Sequence, residues 1–164
     1  MNPTRLELLQ QTPIFGGIRP DILQFILAVS PQVAVPKGKF FFHEHDSANS
    51  MFVLEQGKVA ILKTWKGREY LLHNLHIGDC FGEMSLIDLQ PRSASVLATE
   101  DSVGIEISSA ILSQVYEKSL EQLAMIYMNM GREVSRRLRE TDESIFQSRI
   151  EAVVIGNEYI FKSV

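Results

Sequence analysis

The chain has 164 residues, 45% hydrophobic and 22% charged, with 10 glycines and 6 prolines. At about 150 residues per domain that is one domain with a short appendage, and the usage excludes a disordered, collagen-like or disulfide-framed chain. Sixteen basic residues against 20 acidic ones leave a net charge of −4, so the bulk electrostatics favours neither nucleic acid nor an anionic membrane, and any anion site must be local.

Near the start, Leu6, Leu8 and Leu9 fall at helical spacing, and so do Ile22, Leu23, Phe25, Ile26 and Leu27 behind Pro20-Asp21. This predicts two short helices within 3–28. Between them, Thr12-Pro13-Ile14-Phe15-Gly16-Gly17 reads as a turn that drops two apolar side chains onto a larger body. From 31 to 108 the texture changes to short β-branched and aromatic runs, punctuated by Gly38, Gly57, Gly67 and Gly78. The runs are 40–42, 51–54, 59–62, 70–72, 96–98 and the alternating Val103, Ile105 and Ile107. Many short strands at this spacing predict a β-roll or closed sandwich, mainly β with flanking helices.

A long helix is predicted over about 119–147, with Leu120, Leu123, Tyr127, Met130, Val134, Leu138, Thr141 and Ile145 along one stripe. At 1.5 Å per residue it would span roughly 40 Å, more than a roll of this size covers. Part of the stripe is therefore expected to meet a second copy in a homodimer. The remainder, 148–164, is taken as a tail, apolar at Val153-Val154-Ile155 and Tyr159-Ile160-Phe161, after a domain spanning 1–145. A lone cysteine, Cys80, fits a reducing compartment. The first residues lack a signal peptide's apolar core, and no apolar run approaches the roughly 18 residues of a membrane span. A cytoplasmic protein without membrane contact is the expectation.

The informative string is Gly78-Asp79-Cys80-Phe81-Gly82-Glu83-Met84-Ser85-Leu86, followed after four residues by Pro91-Arg92-Ser93-Ala94-Ser95-Val96. A glycine that permits close backbone approach, then a turn into a short helix, can present unpaired N–H groups to an anion over 82–86. Arg92 offers a planar fork suited to two phosphate oxygens, while Ser93 and Ala94 add donors without bulk. Glu83 accepts hydrogen bonds and would face a hydroxyl, since beside a phosphate it would be repelled. Taken singly, these residues read as a turn with an exposed Glu83–Arg92 ion pair.

The whole string resembles the phosphate-binding cassette of the cyclic nucleotide-binding domain family. That family includes catabolite-activator-type bacterial regulators, regulatory subunits of cyclic-AMP-dependent kinase and cyclic-nucleotide-gated channels. The resemblance covers about 15–143 and takes in Gly38, Gly57 and Gly78. It implies an eight-stranded β-roll (a jelly-roll-like double-stranded β-helix) with N-terminal helices and a long C-terminal helix. It also implies that Arg92 binds the cyclic phosphate and Glu83 the ribose 2′-hydroxyl, with Phe81, Gly82, Met84, Ser85, Ser93 and Ala94 completing the ligand site. For the base, similarity to the catabolite-activator-type members points to Thr141 and Asp142 on the long helix. Asp142 raises the case for guanine, whose N1 and N2 donors suit a carboxylate, and a solvated helix face is an equal reading. Cyclic AMP is expected first and cyclic GMP second, with no other cofactor.

His43-Glu44-His45-Asp46 would place His43 and His45 on one strand face, as in a cupin-like metal enzyme, but no third ligand follows, and His73 and His76 do not supply it. The arginines Arg132, Arg136, Arg137 and Arg139 alternate with Glu133, Glu140, Asp142 and Glu143, the pattern of a solvated helix with internal pairs rather than a nucleic-acid stripe. DNA-binding members of the family carry a helix-turn-helix domain of some 60 or more further residues. The expectation is a stand-alone sensor that acts on a separate protein, binds no nucleic acid and is not an enzyme. The alternative is a β-roll interaction module that no longer binds nucleotide, with a cupin-like metal enzyme kept as a minor alternative.

Overall fold

The computed structural model describes residues 4–156, with side chains as far as residue 150. The first of its two compact units, Met1–Met130, contains the roll. Helix α1 (Arg5–Gln11) starts with a capping box, in which the Thr4 hydroxyl accepts from the Glu7 N–H and Glu7 returns to the Thr4 N–H. A single 3-10 turn, Pro13–Phe15, buries Ile14 and Phe15, as the Thr12–Gly17 string predicts. Helix α2 (Pro20–Val29) opens on a proline at its first position, where a missing N–H costs nothing.

Eight strands follow: β1 (Gln32–Val35), β2 (Phe40–Phe42), β3 (Ser50–Gln56), β4 (Val59–Trp65), β5 (Arg68–Leu75), β6 (Cys80–Phe81), β7 (Ser95–Ala98) and β8 (Ser102–Ser108). They form two four-stranded antiparallel sheets, ordered β1-β8-β3-β6 and β2-β7-β4-β5. The implied eight-stranded roll is the one observed. Strand β3 lies inside its sheet and is covered on both faces, with its first five residues all buried. Phe52 and Leu54 point into the roll beside Val59, Ile61, Phe81 and Val96. Met51 and Val53 point the other way, with Ile105 and Ile107, into a second core shared with Leu9, Ile14, Leu23 and Ile26 of the N-terminal segment. Period-2 alternation thus feeds two cores from one strand.

Turn glycines set the corners. Gly57, at φ +83°, is the strictest: a Cβ there would lie 2.5 Å from the Asp101 carbonyl oxygen and 2.8 Å from Ser102 Cα, both backbone. A short helix, α3 (Met84–Asp88), interrupts the strands between β6 and β7. Helix α4 (Ser109–Lys118) follows β8, capped by the Ser108 hydroxyl accepting from the Ile111 N–H.

Helix α5 runs over Leu120–Gly156. It therefore continues nine residues beyond the predicted end at 147, because no proline or capping glycine stops it there. The predicted tail at 148–164 is thus helical as far as 156, and its Tyr159-Ile160-Phe161 cluster lies outside the described residues. The first compact unit closes at Met130, before the predicted domain end at 145.

Within the first unit, the buried face of α5 is formed by Gln122, Ile126, Asn129 and Met130. Leu120 and Tyr127 of the predicted stripe stay exposed. The face is rotated because two amides take core positions: the Arg19 N–H donates to Gln122 Oε1 at 2.7 Å, and Asn129 Nδ2 donates to the carbonyls of Ile14 at 3.1 Å and Gly16 at 2.8 Å. A buried carbonyl needs a donor, and an apolar residue could not supply it.

The second unit starts at Gly131 and contains the rest of α5, described as far as Gly156. Its arginines make the internal pairs that the sequence predicts: Arg136 and Arg137 bond Glu133, and Arg136 also bonds Glu140. The Arg136 hydrogen bond is the main reason that the Glu133 carboxyl is held below the usual glutamate range. No helix of the described residues is long and apolar enough to cross a membrane.

Candidate functional site

The site grows from the end of β6. Gly82 has φ +80°, and a Cβ on it would lie 2.5 Å from Arg92 Nη1 and 3.3 Å from the Ser50 carbonyl oxygen. Both the backbone conformation and the space require glycine. Glu83, 3% exposed, turns the chain into α3, and its carbonyl accepts from the Leu86 N–H at 3.0 Å. Of the N–H groups predicted to cradle an anion over 82–86, that of Leu86 is therefore used inside the turn. The helix ends at Leu89 in the left-handed region, φ 58°, and the Asp88 carboxylate accepts from the Gln90 N–H at 3.0 Å.

The chain then delivers Arg92, which is 5% exposed. Its backbone is clamped to the 43–46 turn: the Arg92 N–H donates to the Asp46 carbonyl at 2.9 Å, and the His45 N–H donates to the Arg92 carbonyl at 2.8 Å. Guanidinium Nη1 donates to the carbonyls of Ser50 at 2.6 Å and Gly82 at 3.1 Å, while Nη2 donates to Ser50 Oγ at 3.2 Å. One face of the group stacks on Phe42, 3.9 Å from the ring centroid. Nε is buried and has no acceptor among the described residues. Burial pulls the Arg92 pKa down, opposed by the carboxylates of Glu106, Asp46 and Glu83. Arginine nevertheless keeps its charge in proteins, so this is a buried cation whose hydrogen-bond acceptors are neutral, with the three carboxylates acting on it through space.

Around it, Ser93 Oγ donates to Met84 Sδ at 3.7 Å, tying the two ends of the 82–94 segment. Lys63 Nζ donates to the Ser93 carbonyl at 2.6 Å and pairs with Glu44. Glu44 also accepts from the Thr64 N–H, and Lys63 in particular keeps its carboxyl below the usual range. Ser85 and Ala94 are buried, whereas Met84 is exposed. The Phe81 ring is enclosed, stacked 5.3 Å from Phe52 and edge-on to Phe41.

The structure thus brings together Phe81, Gly82, Glu83, Met84, Ser85, Arg92, Ser93 and Ala94. Thr141 and Asp142 lie in the second unit, both exposed, with Thr141 Oγ1 donating to the Arg137 carbonyl at 2.9 Å. Sequence reasoning missed Ser50 and Phe42, the partners of the guanidinium. Ser50 lies 42 positions from Arg92, beyond the reach of any local spacing rule.

The shared strand face expected for His43 and His45 is corrected. Strand β2 stops at Phe42, the Asp46 carboxylate accepts from the His43 N–H at 2.8 Å, and His45 turns left-handed at φ 72°. This segment is a turn, closed by the Asp46 side chain reaching back to His43, that seats Arg92. Among the described residues, no group of three or more histidine, cysteine or acidic side chains is placed to hold a metal.

Residues 32–119 match the family model described as the cyclic nucleotide-binding domain, and the chain belongs to that family. It is 32% identical over 135 residues to the cyclic AMP receptor protein of Thermus thermophilus, covering 82% of this chain and 61% of the relative. The crystal structure of the Thermus thermophilus catabolite activator protein superposes with a TM-score of 0.72 at 30% identity, over 85% of this chain and 64% of the other. A cyclic nucleotide-binding domain from Methylobacillus flagellatus shares the fold with a TM-score of 0.77 at 21% identity, over 88% and 82% of the two chains. The chain spans 61% of the length of that receptor protein, less than two thirds.

Proposed function

We propose that this chain binds a purine 3′,5′-cyclic mononucleotide, cyclic AMP in first place and cyclic GMP in second, and serves as a regulatory sensor rather than an enzyme. The observation that supports this most is Arg92, a buried cation with an unpartnered Nε. A guanidinium held this way gains most from a doubly bonding anion such as a cyclic phosphate. Glu83 then takes the ribose 2′-hydroxyl. Gly82, Met84, Ser85, Ser93 and Ala94 supply backbone and hydroxyl contacts, and Phe81 backs the segment from inside the roll. Thr141 and Asp142 meet the base.

Ligand binding biases an existing equilibrium of α5. The signal passes to a separate protein, or to a second copy, through exposed apolar positions of that helix such as Leu138 and Ile145. The single cysteine of the sequence, Cys80, is buried, which is in keeping with work in a reducing cytoplasm.

Calorimetric titration with cyclic AMP and cyclic GMP tests the reading. Arg92→Ala removes at least two charge-assisted hydrogen bonds and lowers affinity by roughly a hundredfold or more. Unchanged affinity in Arg92→Ala refutes the assigned site, and a wild-type chain that binds neither nucleotide leaves the interaction-module reading standing. Light scattering across a concentration series tests the homodimer, which a concentration-independent monomer refutes.

A further inference from the structure

The guanidinium of Arg92 has five N–H donors in a fixed plane. Three are engaged: both on Nη1, by the carbonyls of Ser50 and Gly82, and one on Nη2, by Ser50 Oγ. Ser50 therefore faces the terminal edge of the group, its carbonyl on one nitrogen and its hydroxyl on the other. The two donors left over are Nε–H and the second hydrogen of Nη2, which lie parallel on the adjacent edge. Nε is buried and has no acceptor among the described residues. Phe42 stacks on the plane and fixes its tilt. Within the plane the two carbonyls hold Nη1, and the Ser50 hydroxyl adds a second point of attachment, at Nη2, that stops the group pivoting about the first.

We infer that Ser50 is a positioning residue for ligand recognition: its hydroxyl holds the Arg92 guanidinium so that the Nε/Nη2 edge, and no other, is offered side-on to two oxygens of a cyclic phosphate. The inference rests on the reading of 82–94 as the phosphate site and adds the mode of engagement. Ser50 is itself buried, at the start of β3, so it acts through Arg92. Its carbonyl bond to Nη1 survives any side-chain substitution. Ser50→Ala therefore removes the rotational lock alone and leaves the arginine anchored at one nitrogen.

The test uses the full chain and three probes: cyclic AMP and its two phosphorothioate diastereomers, which carry sulfur in place of one or the other exocyclic oxygen. Sulfur is a poorer acceptor, so a fork fixed on one edge distinguishes the two. Wild-type protein is expected to bind cyclic AMP and to prefer one diastereomer. Ser50→Ala is expected to weaken cyclic AMP binding roughly tenfold, the scale of one hydrogen bond to a charged group, and to bring the diastereomer ratio towards one. Ser50→Thr, which keeps the hydroxyl, restores both. Thermal unfolding of each variant confirms that folded protein is compared.

Ser50→Ala that binds like wild type overturns the inference. So does Ser50→Ala that weakens both diastereomers equally with the ratio intact, since that is the mark of a strand-stability role. A wild-type chain that binds none of the probes fails at the first step: it overturns the site reading and the inference with it, and is distinguished by needing no variant.

Discussion

Gly82→Ala puts the hinge of the site to a quantitative test. A Cβ at this position meets two obstacles: a backbone φ of +80° and Arg92 Nη1 at 2.5 Å. The first costs an alanine about 1–2 kcal/mol. The second forces the guanidinium away from the Gly82 and Ser50 carbonyls, and losing one hydrogen bond of a charged group costs about 1.5–3 kcal/mol. Together they amount to about 2.5–5 kcal/mol, or a fall of roughly 5–20 °C in Tm for a domain of this size. Thermal unfolding and calorimetric titration with cyclic AMP on one preparation read stability and affinity, and affinity is expected to fall at least tenfold as Arg92 leaves its seat. Gly57→Ala is the control: its added Cβ strikes the backbone of Asp101 and Ser102, so it lowers stability through a corner of the roll without reaching Arg92. A Gly82→Ala protein with wild-type Tm and affinity would refute the reasoning that couples this glycine to the guanidinium.

Asn129→Ala leaves the buried carbonyl of Ile14, and the partly buried one of Gly16, without the Nδ2 donor. It is expected to cost about 2 kcal/mol in urea unfolding, and Asn129→Leu, though more apolar, is expected to recover none of it. Glu133 titrates with a defined sign. Its folded-state pKa lies below the ordinary value, chiefly through Arg136, so its ion pairs add stability above the usual glutamate range and lose it as pH falls through the depressed value. Acid titration followed by circular dichroism is expected to show Glu133→Gln less stable than wild type at neutral pH, the gap closing as pH drops below about 4. Parallel curves across that range would contradict the assignment.

The strands were legible because their signals are local. Alternation in 102–108, the aromatic run 40–42 and the turn glycines each report on their own few residues, and the cassette string carries Gly82, Glu83 and Arg92 at fixed spacing. Two features were not legible. The buried face of α5 was assigned to the apolar stripe, whereas Gln122 and Asn129 take core positions because backbone carbonyls and an N–H elsewhere need partners, a demand invisible to hydrophobic periodicity. The role of His43-Glu44-His45-Asp46 was equally hidden. Its residue types suggest ligation, but its backbone, shaped by the Asp46 carboxylate, serves as a bracket for Arg92. Ser50 shows the general case, since a single buried hydroxyl has meaning only once a distant cation is placed against it.

The amide of Asn129 clasps the carbonyls of residues 115 and 113 positions earlier. During synthesis at 5–20 residues per second, the turn carrying Ile14 and Gly16 waits roughly ten seconds before its fastener emerges. All eight strands are made in that interval. The last piece to arrive closes the first, so the unit acquires its seal late, through contacts of long sequence separation that slow folding.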